Sequence, residues 1–188
     1  MLENKQKATL GEFTQKETLC ENGIPLLKIN IKCPEIKCNG KSTLSRYASK
    51  FYKSLVQEFY FYAKTAFYKQ ALSDFQIGRE GFAPYSALMR YKSERFDDLL
   101  LSVYIDISLT DGVKTVYAER KTQVWELKHG TKCKISDFIG KSEYRKLKKE
   151  LPDSLKEGLK RGIFTVCSEH ITVYSQSGSE NEKIPHKF

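Results

Sequence analysis

Three pairs of metal-type ligands punctuate this chain of 188 residues. Cys33 and Cys38 read C-x4-C, and Cys167 with His170 reads C-x2-H. His129 and Cys133 share the stretch "VWELKHGTKCKISDFIG", which also holds the only Trp. A structural zinc ion wants four thiolate or imidazole ligands in a tetrahedron, usually from two closely spaced pairs. Two pairs exist, but Pro34 stiffens the first, and the second falls on a strand and its turn rather than in a knuckle. No C-x2-C occurs. Five Cys, an odd number without a tight framework, fit reduced thiols in a cytoplasmic protein better than a disulfide scaffold. Neither a metal nor a cofactor is expected.

Carboxylates come next. "RFDDLL", residues 95–100, has the look of the Asp-Asp motif of metal-dependent polysaccharide deacetylases. That chemistry also needs a His pair at helical spacing, and the His here are 129, 170 and 186. Asp97 and Asp98 therefore read as a turn between strands. Glu94, Asp106 and Glu119 could be assembled into acid–base pairs, but no spacing fixes their geometry. There is no strand-turn-helix nucleophile elbow, no G-x-x-x-x-G-K and no G-x-G-x-x-G. The chain reads as a non-enzyme. The formal charge of +9 favours acidic partners, a weak and sequence-independent bias. Arg145, Lys146, Lys148 and Lys149, with abundant Tyr, offer phosphate contacts and stacking. Glu residues interleave them as on a solvated helix, and no nucleic-acid module signature is present.

The elements that would position these groups follow from periodicity. Residues 1–23 are polar and read as a loosely held arm, leaving 24–188 as one α+β domain. "PLLKINIK" alternates as a half-buried strand, stopped by Pro34 and the Asn39-Gly40 turn. From Ser42, read as the N-cap, Leu44, Ala48, Phe51, Leu55, Phe59, Tyr62, Ala66 and Ala71 recur at helical spacing as far as about Phe75. Tyr52, Tyr60, Phe61, Phe67 and Tyr68 lie partly off that stripe. They suit a helix gripped on two sides, or an aromatic surface for sugar rings or bases. Strands follow over residues 85–92 and in "LLLSVYIDISL". Asp111-Gly112 gives a hairpin signal suited to a tight primed turn, and "VKTVYAERKTQVWEL" returns. The sheet reads as antiparallel with one buried and one polar face. Lys128-His129-Gly130 is a turn, and Trp125 points to the core. Tyr144, Leu147, Leu151, Leu155 and Leu159 mark a helix broken at Pro152. "IFTVCSEHITVYSQ" gives two short strands, and "KIPHKF" an added edge strand.

The N-terminus shows no apolar core of a signal peptide, and residues 99–107 are too short and too polar to span a bilayer. A cytoplasmic protein is expected, or an extracellular one if an export signal has been removed.

The order of these pieces resembles a bacterial family of domains of unknown function. That family occurs in the extracellular part of lysozyme-sensing anti-sigma factors and beside some peptidoglycan deacetylases. The matching segments are "LKINIKCPEI", the long helix after Asn39-Gly40, "DDLLLSVYIDISL", "TQVWELKHGTKCKISDFIG", and the closing "FTVCSEHITVYSQ" and "KIPHKF". The chain departs from the family in carrying Cys33-Pro34 where a Tyr-Pro is expected. The resemblance implies an α+β fold: a curved antiparallel sheet packed against one long helix, with a shorter broken helix near the C-terminus. It also implies binding rather than catalysis, the family's deacetylases holding their active site in a separate domain. The expected partner is a lysozyme-like protein or a cell-wall-type glycan. A nucleic acid or other polyanion bound through Arg145, Lys146, Lys148 and Lys149 is the alternative. Long-range charge opposes the encounter of this basic chain with a basic lysozyme.

Overall fold

The computed structural model describes residues 8–38 and 43–185. Ser42 and Asn39-Gly40, expected as helix cap and turn, lie outside them, as do residues 186–188. The long β1 (Ala8–Glu21) turns at Asn22-Gly23 into β2 (Ile24–Cys38). Most of the stretch expected as a loose arm is thus an edge strand, paired with β2 along its whole length. Its polarity hid it. Glu17 faces the helices, where the Lys64 ammonium bonds it at 2.9 Å and the Tyr60 hydroxyl donates to it. A charged side chain satisfied in this way needs no apolar alternation around it. β2 runs through Pro34, which was expected to stop it. It is paired with β3 (Tyr85–Phe96) only over residues 27–31. Beyond that it has a ladder on one side alone, where a missing N–H is tolerated.

The expectation of one sheet against one long helix is overturned in three ways. First, the helical segment is not one α-helix. A π turn (Ala63–Phe67) separates α1 (Thr43–Tyr62) from α2 (Tyr68–Gln76). The reason is visible in the buried residues: Leu55, Phe59, Ala63, Phe67 and Ala71 step by four. On an ideal helix each step of four drifts about 40° around the axis. The wider π turn absorbs that drift and keeps Phe67 and Ala71 on the sheet. Phe67 is therefore core, as is Tyr52 earlier on α1, whereas Tyr62 and Ala66, assigned to the stripe, are exposed.

Second, the large sheet is mixed. Its order is β1-β2-β3-β4-β5-β6, with β4 (Leu100–Thr110), β5 (Thr115–Glu126) and β6 (Thr131–Lys132). β2 and β3 are parallel because the helical crossover lies between them. The other pairings are antiparallel. The β4–β5 turn falls at Asp111-Gly112, where Gly112 has φ +86° and a Cβ would collide with the Ala83 carbonyl.

Third, the C-terminal strands form a separate sheet, β7-β8-β9 (Phe164–Val166, His170–Tyr174, Asn181–Pro185). It packs on the face of the large sheet away from α1 and α2. Two short helices, α3 (Lys141–Glu150) and α4 (Asp153–Arg161), complete that side, broken at Pro152 as expected. Leu101, Val103, Ile105, Ile107 and Leu109 of β4 face the helices, in one core with Leu27, Ile29, Met89 and Trp125. Leu100 and Val124 join Ile135, Leu155, Val166 and Ile171 in a second core. The face expected to be polar is thus partly covered, and polar atoms make the join. The Val166 N–H donates to Ser102 Oγ (2.8 Å) and the Phe164 N–H to Thr122 Oγ1 (2.9 Å). These two hydroxyls cap the outer edge of β7, so that it ends no ladder with unpaired donors. Beside them, Arg120 holds Asp106 with two bonds (2.6 and 2.7 Å) between the rings of Tyr104 and Tyr174.

Candidate functional site

Of the metal-type ligands proposed from sequence, the structure brings together Cys167 and His170, with Sγ 3.0 Å from Nδ1; the others do not join them. Cys33 is buried in the first core, its thiol pushed up to about 12 by burial alone. Cys167 and His170 sit on the β7–β8 hairpin of the other sheet. The side chain of Cys38 lies outside the described residues. Cys133 is buried in the second core. His129 is exposed in the β5–β6 turn, and its ring Nδ1 lies 2.9 Å from Glu126, which also accepts the Lys128 and His129 N–H groups. No group of three or more metal-type ligands gathers among the described residues. Cys20, Cys33, Cys133 and Cys167 are free thiols.

The carboxylates are likewise separate. Asp97 accepts the N–H groups of Leu99 and Leu100 and pairs with Arg95, closing the β3–β4 turn. Glu94 pairs with Lys92 and Asp106 with Arg120. Glu119 is opposite Ile107, on the helix face rather than that of Asp106. Arg145, Lys146, Lys148 and Lys149 stand together, exposed on α3, and form no ion pair among the described residues. The aromatic helix residues divide. Tyr52 and Phe67 are core. Tyr60 is tied to Glu17, and the Tyr68 hydroxyl donates to the Cys20 carbonyl at 3.4 Å. Phe61 remains 70% exposed.

Two grooves border the helices. The larger, about 1150 Å³, lies between α1 and the β1–β2 ribbon, with Phe13, Pro34 and Val56 among Lys37, Arg46, Lys50 and Lys53. The other, about 590 Å³, lies where the π turn meets the start of β5. Its walls combine Tyr62, Phe67 and Tyr117 with Glu58, Gln70 and Glu119. The π turn makes this wall: it turns Phe67 inward to stack on Tyr62 (centroids 6.3 Å, planes 19° apart), and such turns recur at functional sites. Opposite, β5 leaves Val116 and Tyr117 about half exposed. Tyr117 donates to Glu119 (2.7 Å), which also accepts from Lys121 (2.9 Å). Burial, and then the neighbouring Glu119, push the Tyr117 hydroxyl up to about 12, so it keeps its proton and its donor role. Tyr62, Val116 and Tyr117 thus give the groove exposed apolar surface, as contact sites do. Glu58 has no ion-pair partner among the described residues. The groove offers flat apolar faces with acceptors and an amide at their edges. It offers no free acid–base pair, since Glu119 is already bonded to Tyr117 and Lys121.

Set against solved structures, the whole chain finds counterparts. The fold is that of DUF3298-family proteins. A member from Pseudomonas aeruginosa PAO1 aligns over 97% of this chain and 92% of its own, with TM-score 0.57 and 12% identity. One from Bacteroides fragilis aligns over the same shares, with TM-score 0.53 and 14% identity. At these identities the likeness concerns the fold. No family model matches the sequence, and no curated protein does. No helix among the described residues is long and apolar enough to cross a membrane.

The groove residues Val116 and Tyr117 were not singled out in the sequence. Their signal was an apolar pair at the start of the return strand, where the alternation "VYAE" gives no single buried face.

Proposed function

We propose that this chain is a non-catalytic binding domain and that the groove at the π turn receives a cell-wall-type glycan. One observation carries the reading: the exposed rings of Tyr62 and Tyr117, with Phe67 buried behind them, line a groove edged by Glu58, Gln70 and Glu119. Sugar rings present apolar C–H faces and hydroxyl rims. Aromatic faces take the former, and carboxylate and amide groups the latter. The resemblance to domains in lysozyme-sensing anti-sigma factors and beside peptidoglycan deacetylases supports a partner from the cell wall or from the enzymes that cut it. A lysozyme-like protein is the other partner in that class. Titration with soluble peptidoglycan fragments, and in parallel with an animal-type lysozyme, tests the proposal. The expected result is saturable glycan binding, weakened about tenfold, or about 1.4 kcal/mol, by Tyr117→Ala. Binding of lysozyme alone would move the assignment to a protein partner. Binding of neither would overturn it.

A second reading rests on the four exposed cations of α3, Arg145, Lys146, Lys148 and Lys149, which have no ion-pair partner among the described residues. A polyanion held there would dissociate steeply with added salt. Salt-insensitive binding, or binding unchanged by charge reversal at Lys146 and Lys149, would exclude it.

A further inference from the structure

The β7–β8 hairpin carries a nucleophile and a base that the groove does not use. Its closing pair is Cys167 and His170, joined by the bond from the Cys167 N–H to the His170 carbonyl (3.0 Å). Residues opposed in this way on an antiparallel ladder put their side chains on one face. Here Cys167 Sγ lies 3.0 Å from His170 Nδ1. The two turn residues between them, Ser168 and Glu169, are exposed, while Cys167 and His170 are each half-buried. Neither residue is fully buried beside this exposed turn, and the thiol is held against the imidazole by the ladder rather than by a flexible loop. A thiol reacts as its thiolate, and an adjacent base that accepts the proton activates it.

The other described cysteines lack this combination. Cys33 and Cys133 are buried, and burial raises both thiols. Cys20 is exposed, and no imidazole among the described residues is bonded to it. We propose that Cys167 and His170 form a reactive thiol–imidazole pair, making this hairpin a site of modification by small disulfides. In the step, His170 Nδ1 accepts the Cys167 proton and the sulfur attacks one sulfur of the incoming disulfide. A new S–S bond forms to Cys167 as the incoming one breaks. The released thiolate takes the proton from the imidazolium. Cys167 is oxidised to a mixed disulfide, and one equivalent of small thiol leaves.

The test uses the full chain and a neutral dipyridyl disulfide, with mass-spectrometric mapping of each Cys over time. Cys20 serves as the reference inside the same molecule. The expected result is labelling of Cys167 at least about tenfold faster than Cys20 at neutral pH, a threshold set below the roughly hundredfold lower end of what a positioned base supplies. His170→Gln should bring Cys167 down towards the Cys20 rate while circular dichroism shows the fold retained. Equal rates in the native chain would overturn the proposal without any variant. So would a folded His170→Gln chain whose Cys167 reacts as fast as before. If His170→Gln does not fold, the ratio in the native chain decides, with Cys167→Ser confirming which label is lost.

Discussion

The two faces of the large sheet are built by different means. Towards α1 and α2, β4 presents five aliphatic side chains, and the helices cover them with Ala48, Leu55, Phe59, Ala63 and Phe67. Towards the small sheet, the same strand presents Leu100, Ser102, Tyr104, Asp106 and Ser108. There the contact is made partly by hydroxyls that accept backbone N–H groups and partly by an arginine enclosed by two tyrosines and an aspartate. An apolar face stabilises by area and tolerates small shifts. A polar join is directional and loses most when one partner is removed. The contrast also explains the glycine at 158. α4 lies so close to β8 that a Cβ there would run into the Tyr174 carbonyl.

The contrast can be broken one side at a time, starting with the largest effect. Phe67→Ala removes a ring that is 2% exposed and should cost about 4 kcal/mol in urea denaturation. It should also open the groove by removing the inner wall that stacks on Tyr62. A loss below about 1 kcal/mol would mean that the π turn does not anchor the helices. On the other face, Ser102→Ala leaves the Val166 N–H without its acceptor in a fully buried setting. About 2 kcal/mol should be lost, although a single oxygen is removed. Hydrogen exchange should localise the weakening to β7 and β8, with the helix side unaffected. Uniform weakening would show that the two cores form one cooperative unit.

A smaller effect sharpens the comparison through pH. Asp111 accepts the Lys114 and Val113 N–H groups and pairs with Arg79, which also bonds Asp74. The Lys114 N–H is the main cause that holds its carboxyl at about 2. A depressed carboxyl contributes fully above its unfolded value, about 3.9, and its contribution disappears as pH falls through about 2. The native chain should therefore lose stability between about pH 4 and 2 more steeply than Asp111→Asn. Parallel curves would remove this turn from the acid response.

Legibility in the sequence follows the same division. The helix-facing stripe of β4, the Asp111-Gly112 turn, the Pro152 break and the Ser168-Glu169 hairpin are all written in alternation or turn chemistry. β1 was hidden because Glu17 is satisfied by partners from α1 and the π turn, which no local pattern announces. The second sheet was hidden because Ser102 and Thr122 look like solvent-facing residues until β7 is laid across them. The π turn lies in a run of steps of four that also reads as an ordinary amphipathic helix. The groove was least legible of all. Tyr62 and Tyr117 are far apart in the chain and meet only through the register of β5 against β4.

The central claim, that the groove at the π turn is the contact surface, is tested most directly by mapping amide chemical shifts during titration with peptidoglycan fragments. The account predicts perturbations centred on Tyr62, Phe67, Val116, Tyr117 and Glu119, with α3 unchanged. Perturbations centred on Arg145 to Lys149, or none at saturating ligand, would contradict it.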